Sequence, residues 1–205
     1  MTSVTVFMGL FAVLLVSGFA YSETSWDDTL DWIDTMDYNE EKMGPENYLN
    51  EIKIDFGSGE QCEYPGGNCY QLRLQRVHGC TSFFSIHGFW PQWASKCDNS
   101  ASEVSKEDFD PAFQKILLKE WPTCKGNDHE WFWSHEWRKH GTCAKSFKTM
   151  QDYFEATVFL ARKYRYLCNR PDMDGLYRKV HSHNKNAEEC GICFNRKMTK
   201  IIDCA

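Results

Sequence analysis

The sequence lacks several features that mark common classes of protein. Its 205 residues contain no Asn-x-Ser/Thr sequon, so nothing predicts N-glycosylation. No apolar run of membrane-spanning length follows the first twenty residues, which argues against a protein with several membrane spans. There is also no internal repeat and no low-complexity linker. These absences favour a single soluble domain with a sizeable core.

The N-terminal segment 1–20 has no charged side chain and ends in small residues at Gly18 and Ala20. This pattern predicts a signal peptide cut after Ala20, with a cut after Ser22 as the alternative. A membrane anchor fits less well because the apolar core is short and is followed by acidic residues. We therefore expect no membrane attachment after the signal is removed.

All ten cysteines follow the predicted signal, and an even number in a secreted chain predicts up to five disulfides. The competing interpretation is a zinc site, because CGIC at 190–193 has suitable local spacing. It lacks a partner CxxC or HxxxH pair, so we expect no metal and no cofactor. The cysteines are at positions 62, 69, 80, 97, 124, 143, 168, 190, 193 and 204.

Charge is concentrated in an acidic N-terminal extension, residues 21–47. It holds nine acidic residues and one lysine, a net charge of −8, while the whole chain carries −6, so the remainder is near +2. One hypothesis is a solvated, partly disordered extension. The other is that the extension lies over a cationic cleft and competes with an anionic substrate. Its Trp26, Trp32 and Tyr38 give the second hypothesis some support, because disordered tails are usually poor in aromatic residues.

Mixed α and β patterns follow the extension. The alternation in QLRLQ at 71–75 predicts a half-buried strand, and SFFSI at 82–86 is a second candidate. Helices are predicted after Asp110, over about 129–140, and after Thr149, where Asp152 completes a capping box. CGICFN and KIIDC near the C-terminus predict two short strands joined by a turn.

The segment WSHEWRKHGTC at 133–143 concentrates titratable side chains beside a cysteine. Its His135 and His140 are five residues apart, whereas the HExxH pattern of a zinc protease places them four apart on one helical face. Glu136, Lys139 and His140 do share a face, being three and four residues apart. A carboxylate, an ammonium and an imidazole that project together suit phosphoryl transfer, which needs a proton acceptor and fixed positive charge.

The segment SIHGFWPQW at 85–93 supplies the second imidazole that acid-base cleavage of a phosphodiester needs. His87 ends a predicted strand, and Gly88 is expected to let a substrate approach the backbone. Trp90 is expected to stack on a base. Taken singly, His87 and Trp90 would be read as structural residues, and the two segments together favour a nuclease.

These two segments resemble the active-site segments of the ribonuclease T2 family, approximately IHGLWP and WxHEWxKHGTC. The second matches at every characteristic position, and the first differs only at Phe89, where leucine is usual. The resemblance extends more weakly from about Gln71 to the C-terminus. Residues 21 to about 60 have no evident counterpart.

The resemblance implies a role for each matching catalytic residue. His140 would act as general base on the ribose 2′-hydroxyl, and His87 as the acid that protonates the departing 5′-oxygen. Glu136 and Lys139 would stabilise the crowded transition state, and His135 would hold the phosphate.

The resemblance also indicates the nucleotide-binding residues. Trp90 and Phe132 match positions that sandwich a base, and Gln75 matches a residue that touches the neighbouring nucleotide. The family usually has Trp-Pro where this chain has Arg76 and Val77. This departure puts nucleotide preference, more than catalysis, in doubt.

The fold implied by the resemblance is an α+β domain over 48–205, with a central antiparallel sheet packed with helices and stapled by disulfides. Cys62 with Cys69 is a plausible disulfide because the two are close in sequence, and four further cysteines stay unassigned. The pairs that resemble family disulfides are Cys97 with Cys143 and Cys193 with Cys204.

The implied substrate is single-stranded RNA, because the attacking nucleophile is the 2′-hydroxyl that DNA lacks. The products would be a 2′,3′-cyclic phosphate and then a 3′-phosphate, with no metal required. We further expect an acidic pH optimum, a monomer, and secretion or delivery to an acidic compartment of the lysosomal or vacuolar type.

Two alternatives stay open. The first is a catalytically weak or inactive secreted binding protein on the same fold, although His87, Lys139 and His140 are all present. The second is an enzyme that becomes active only when its acidic extension is removed. The segment HSHNKN at 181–186 is interpreted as a solvated basic loop.

Overall fold

The computed structural model describes residues 52–180 and 187–205. The predicted signal peptide, the acidic extension and the basic loop at 181–186 lie outside the described residues. No helix in the described part of the chain is both long and apolar enough to cross a membrane. The elements in chain order are β1 (Lys53–Ile54), β2 (Gln61–Cys62), β3 (Cys69–Val77), β4 (Ser85–Pro91), α1 (Pro111–Glu120), α2 (His129–Lys139), α3 (Met150–Tyr164), β5 (Tyr177–Val180), β6 (Ala187–Asn195) and β7 (Lys200–Cys204).

The strands form one sheet in the order β1-β7-β6-β3-β4. Strand β5 pairs with residues 188–191 of β6, and β7 pairs with the residues of β6 that follow, Cys193 and Phe194. Strand β2 pairs with β7. The long strands pair antiparallel, as predicted, and the two-residue β1 and β2 run parallel to β7. With three helices against this sheet, the fold class is α+β.

Capping residues start the helices where the sequence predicts. The Asp110 side chain accepts hydrogen bonds from the backbone N–H groups of Ala112 and Phe113, with Pro111 in the first position of α1. Thr149 and Asp152 form the predicted capping box of α3. Helix α2 ends at Lys139, one residue before the predicted end.

The second predicted strand begins later than expected, because β4 starts at Ser85 and continues to Pro91. Residues 82–84 belong to the connection from β3. There the Thr81 hydroxyl donates to the Phe83 carbonyl at 2.9 Å, a local hydrogen bond that competes with strand pairing.

One face of the sheet carries the main core. Leu72 and Leu74 of β3 are fully buried together with aromatic residues of the helices, including Trp121 and Tyr153. The polar tips of these aromatics are satisfied: the Tyr153 hydroxyl donates to the Phe89 carbonyl at 2.9 Å. The helices are thereby fixed over β4.

The opposite face of β3 is also buried, so the prediction of a half-buried strand was wrong. Gln71 is 1% exposed and Arg73 is 4% exposed. The neighbouring strands explain this burial, because Tyr177 of β5 places its ring 3.8 Å from the Arg73 guanidinium. The polar face of β3 therefore lies inside the protein.

Five disulfides join the described cysteines, and none of these cysteines is free. Both pairs expected from the family resemblance are present, as is the pair expected from proximity. Each cysteine of CGIC is in a different disulfide, so neither is available to bind zinc. The pairs are Cys62–Cys69, Cys80–Cys124, Cys97–Cys143, Cys168–Cys190 and Cys193–Cys204.

Candidate active site

His87 is the extra residue of a bulge in β4. Arg73 of β3 lies opposite Gly88, and Leu74 lies opposite Ile86, so His87 has no partner across the ladder. A bulge re-aims a side chain and is common beside active sites. The Trp121 indole donates to the His87 carbonyl at 3.0 Å, which fixes the backbone at this point.

Helix α2 and the residue after it supply the second group of side chains. Glu136 is 2% exposed and points towards β4, while His135 is exposed on another side of the helix. His140 caps the helix, and its backbone N–H donates to the Glu136 carbonyl at 2.9 Å. His140 is 8% exposed.

Trp90 connects the two segments. Its indole N–H donates to Glu136 Oε2 at 2.7 Å. Its ring stacks on the His140 imidazole, with centroids 4.7 Å apart and an interplanar angle of 18°. The same ring meets the His87 imidazole edge-on at 5.2 Å. The predicted residues His87, Glu136 and His140 are thus brought together around one tryptophan.

Gly88 makes this arrangement possible. A Cβ atom on Gly88 would lie 2.2 Å from Glu136 Oε2 and 2.3 Å from Trp90 Nε1. The space that a side chain would occupy is therefore filled by the hydrogen bond between these two groups. The structure thus shows why this position must be glycine, and the approach of a substrate to its backbone stays a prediction.

The surroundings of His140 favour the neutral form of its imidazole. Burial, followed by the charges of Lys139, His135 and His87, lowers the pKa of His140 to about 3. Its Nε2 is buried and has no hydrogen-bond partner among the described residues. A neutral imidazole with an unshared nitrogen is suited to accept a proton.

The pKa values of Glu136 and His135 are also shifted. Burial raises the pKa of Glu136, while His87, the hydrogen bond from Trp90 and Lys139 oppose that shift. Burial and then the charges of Lys139 and His87 lower the pKa of His135. The Nε2 atom of His87 lies 4.0 Å from Glu136 Oε1.

A cleft of about 510 Å³ opens beside His87. The base-binding candidates Gln75 and Phe132 line it, together with His87, His135 and Glu136. A second cleft of about 360 Å³ includes Lys139, and His135 borders both. A nucleotide in the first cleft would therefore reach His87 and His135 together.

Trp90 departs from its predicted surroundings. It is 9% exposed, and His140, Glu136 and the guanidinium of Arg73, 5.2 Å from its ring, surround it. Little of the ring is left for a nucleobase. The ring contacts both imidazoles, and its stacking on a nucleobase stays a prediction.

Sequence reasoning missed three residues near the site. Trp131 is 63% exposed, borders both clefts and stacks on His135 at 5.6 Å; its position four residues before His135 was the available signal. Glu189 lies 3.3 Å from His87 Nδ1, and Arg73 lies behind it. No local pattern indicates this last pair, because strand register alone brings it to the site.

Comparisons with known proteins agree with this geometry. A sequence profile of the Ribonuclease T2 family matches residues 58–173. Ribonuclease 3 of Arabidopsis thaliana is 30% identical over 185 residues, covering 69% of this chain and 79% of that protein. Extracellular ribonuclease LE of Solanum lycopersicum is 41% identical over 110 residues, covering 50% and 45%. The structure of ribonuclease MC1 from bitter gourd seeds superposes with a TM-score of 0.54 at 22% identity, covering 67% of this chain and 94% of that one, a likeness of fold.

Proposed function

Because the chain belongs to the ribonuclease T2 family, we propose that it is an endoribonuclease that cleaves single-stranded RNA by metal-independent acid-base transphosphorylation. The observation that carries this proposal is the contact of His87, Glu136 and His140 with a single tryptophan, Trp90. Two imidazoles and a carboxylate from distant parts of the chain thereby face one site.

In the first step, His140 takes the proton of the ribose 2′-hydroxyl. Its lowered pKa and its contact with Trp90 beside His87 support this role, since the imidazole stays neutral in mild acid. The 2′-oxygen then attacks phosphorus and forms the cyclic phosphate.

His87 gives a proton to the departing 5′-oxygen as the bond to phosphorus breaks. Its carboxylate neighbours and its partial exposure to the cleft support a donor role. In the second step the roles reverse, and water opens the 2′,3′-cyclic phosphate to a 3′-phosphate.

Fixed charge stabilises the transition state. Among the described residues, Lys139 makes no ion pair, so its ammonium is available to phosphoryl oxygens, as the resemblance implies. Glu136 acts beside it, and His135, which borders both clefts, holds the phosphate. Phe132 and Gln75 contact bases.

The place of action is proposed from the sequence and from the names of relatives. The predicted signal peptide and the likeness to an extracellular ribonuclease support secretion. Disulfides require an oxidising compartment, and five are present.

The test is cleavage of a short single-stranded RNA at pH 5 with EDTA present. The parent protein should give cyclic phosphate ends, and His87→Ala and His140→Ala should each lose about 10²- to 10⁴-fold in rate, the usual contribution of a general acid or base. His78→Ala, which changes an exposed histidine, is the matched control. A folded parent protein that cuts no RNA would leave the alternative of an inactive binding protein on this fold.

A further inference from the structure

A second carboxylate lies beside His87. Glu136 Oε1 is 4.0 Å from Nε2 of the imidazole, and Glu189 Oε1, on β6, is 3.3 Å from Nδ1. Each nitrogen of this imidazole therefore faces its own carboxylate. The mechanism above leaves the contact at Nδ1 without a role.

Glu189 is held in a buried ion pair. Its side chain is 9% exposed, and Arg73 Nη1 lies 3.7 Å from its Oε2. Arg73 is fixed in turn between the rings of Tyr177, at 3.8 Å, and Trp90, at 5.2 Å. Glu189 is thus placed by an arginine that has little freedom to move.

This pair is poorly explained by stability alone. Removing two charges from water costs about as much as their attraction returns, and apolar residues of similar size would often serve as well. Nε and Nη1 of Arg73 are buried without a hydrogen-bond partner among the described residues, which adds to the cost. An arrangement of this kind points to a task in the site.

The orientation of His87 is the task that the geometry indicates. The bulge in β4 and the Trp121 indole fix its backbone, and Trp90 contacts the ring edge-on, but none of these contacts is a hydrogen bond to Nδ1. Nδ1 is close to Glu189 but forms no well-aligned hydrogen bond to any described residue. Catalytic hydrogen bonds are often poorly aligned in the free enzyme and tighten when substrate binds.

We propose that Glu189 is a positioning residue for the general acid His87, and that Arg73 holds Glu189 in place. This inference rests on the proposed function. The Glu189 carboxylate accepts a hydrogen bond from Nδ1–H of His87, so that Nε2–H faces the departing 5′-oxygen. As the phosphorus–oxygen bond breaks, the bond's electron pair stays on the 5′-oxygen, which takes the Nε2 proton. The imidazole is left neutral, with its Nδ1–H still hydrogen-bonded to the Glu189 carboxylate.

The experiment compares two substrates that differ in their need for an acid. One is a ribodinucleoside monophosphate, whose 5′-oxygen leaves only when it is protonated. The other is a ribonucleoside 3′-(4-nitrophenyl phosphate) with the same first base, whose nitrophenolate leaves without a proton. Glu189→Gln keeps the shape of the side chain and removes its charge. Glu188→Gln, one residue away and exposed, is the matched control.

On the dinucleotide, Glu189→Gln should lower kcat about 10- to 100-fold and leave KM nearly unchanged, as misplacement of a catalytic group does. On the nitrophenyl ester its kcat should stay within about threefold of the parent value, because the acid is not needed there. Glu188→Gln should match the parent on both substrates. Equal losses on both substrates, or no loss on the dinucleotide, would overturn the proposal.

A parent protein that cleaves neither substrate would overturn the proposed function and this inference together, whereas an active parent with an unaffected Glu189→Gln would overturn this inference alone.

Should Glu189→Gln fail to fold, ¹⁵N NMR of the unaltered protein decides the question. The neutral His87 imidazole should carry its proton on Nδ1, and a proton on Nε2 would refute the role of Glu189.

Discussion

The two imidazoles of the site have opposite surroundings. His87 sits on a strand bulge, partly exposed, with the carboxylates of Glu136 and Glu189 at its two nitrogens. His140 sits beyond a helix end, buried, and the charged groups that shift it most are Lys139 and His135. Trp90 touches both rings. One tryptophan thus contacts two identical side chains whose charged neighbours have opposite signs, a difference that the proposed mechanism uses to assign a proton donor and a proton acceptor.

The largest expected effect comes from disturbing Trp90, which contacts both imidazoles and donates a hydrogen bond to Glu136. Gly88→Ala places a methyl group where Glu136 and Trp90 form their hydrogen bond, and buried Glu136 has little room to retreat. We expect kcat/KM on a dinucleotide to fall about 100-fold, as for a misplacement of about 1 Å. Steady-state kinetics, with denaturant unfolding to show that the variant is folded, test this. Unchanged activity would mean that the hydrogen bond has no catalytic importance.

The second prediction concerns the contribution of His140 to the pH dependence of the free energy of unfolding. The pKa of His140 falls from 6.5 to about 3 on folding, so between these pH values the unfolded state binds a proton that the folded state does not. This contribution to stability is complete above pH 6.5 and declines towards pH 3, by up to about 1.4 kcal/mol per pH unit.

His140→Asn should therefore lose less stability than the parent between pH 6.5 and pH 4, as measured by urea unfolding. His78→Asn, at an exposed position, is the control and should follow the parent curve. Parallel curves for parent and His140→Asn would show that His140 titrates normally in the folded protein.

A smaller effect is expected on the pKa of His135, which borders both clefts. Lys96 is one of the cations that lower the pKa of His135, after burial, Lys139 and His87. Lys96→Ala should raise the pKa of His135 modestly, as followed by NMR titration of its ring protons. Lys125→Ala, which removes a lysine not among these causes, should leave the titration unchanged. A His135 pKa that stays constant in Lys96→Ala would place Lys96 too far away to act.

The smallest effect is expected from deleting residues 21–47. If the acidic extension is solvated, kcat/KM on RNA should stay within about twofold at physiological salt, where charges more than about 8 Å apart are screened. Activity of the two forms at low and physiological salt tests this. A rise on deletion, larger at low salt, would instead support an extension that competes with RNA for the cations near His140.

The parts of the fold that could be predicted are those set by local chemistry. Asp110 with Pro111, and Thr149 with Asp152, start helices because their side chains satisfy backbone N–H groups a few residues away. The start of β4 could not be predicted, because SFFSI satisfies a strand pattern while Thr81 turns the backbone before it. The disulfide partners of Cys80 and Cys168 were equally beyond reach, since tertiary structure decides which distant cysteines meet.

The active site likewise has residues that could be predicted from the sequence and residues that could not. His87, Glu136 and His140 stand in two short segments whose residue types indicate their chemistry. Arg73 and Glu189 lie on β3 and β6, far apart in sequence. In the ladder Arg73 is opposite Gly191 and Gln75 is opposite Glu189, so Arg73 and Glu189 are diagonal neighbours on one face of the sheet. The burial of Trp90 likewise depends on both helix and sheet, so the sequence alone could not show that its ring lies against His140 and Arg73.

The disulfide Cys97–Cys143 carries a consequence for the cell that makes this protein. Cys143 follows His140 by three residues, so the crosslink ties the end of helix α2 to the chain that follows β4. Such bonds form in oxidising compartments and not in the cytosol. In a reducing compartment the protein would therefore lack this tether beside His140, and under the proposed mechanism we expect it to cleave RNA there more slowly.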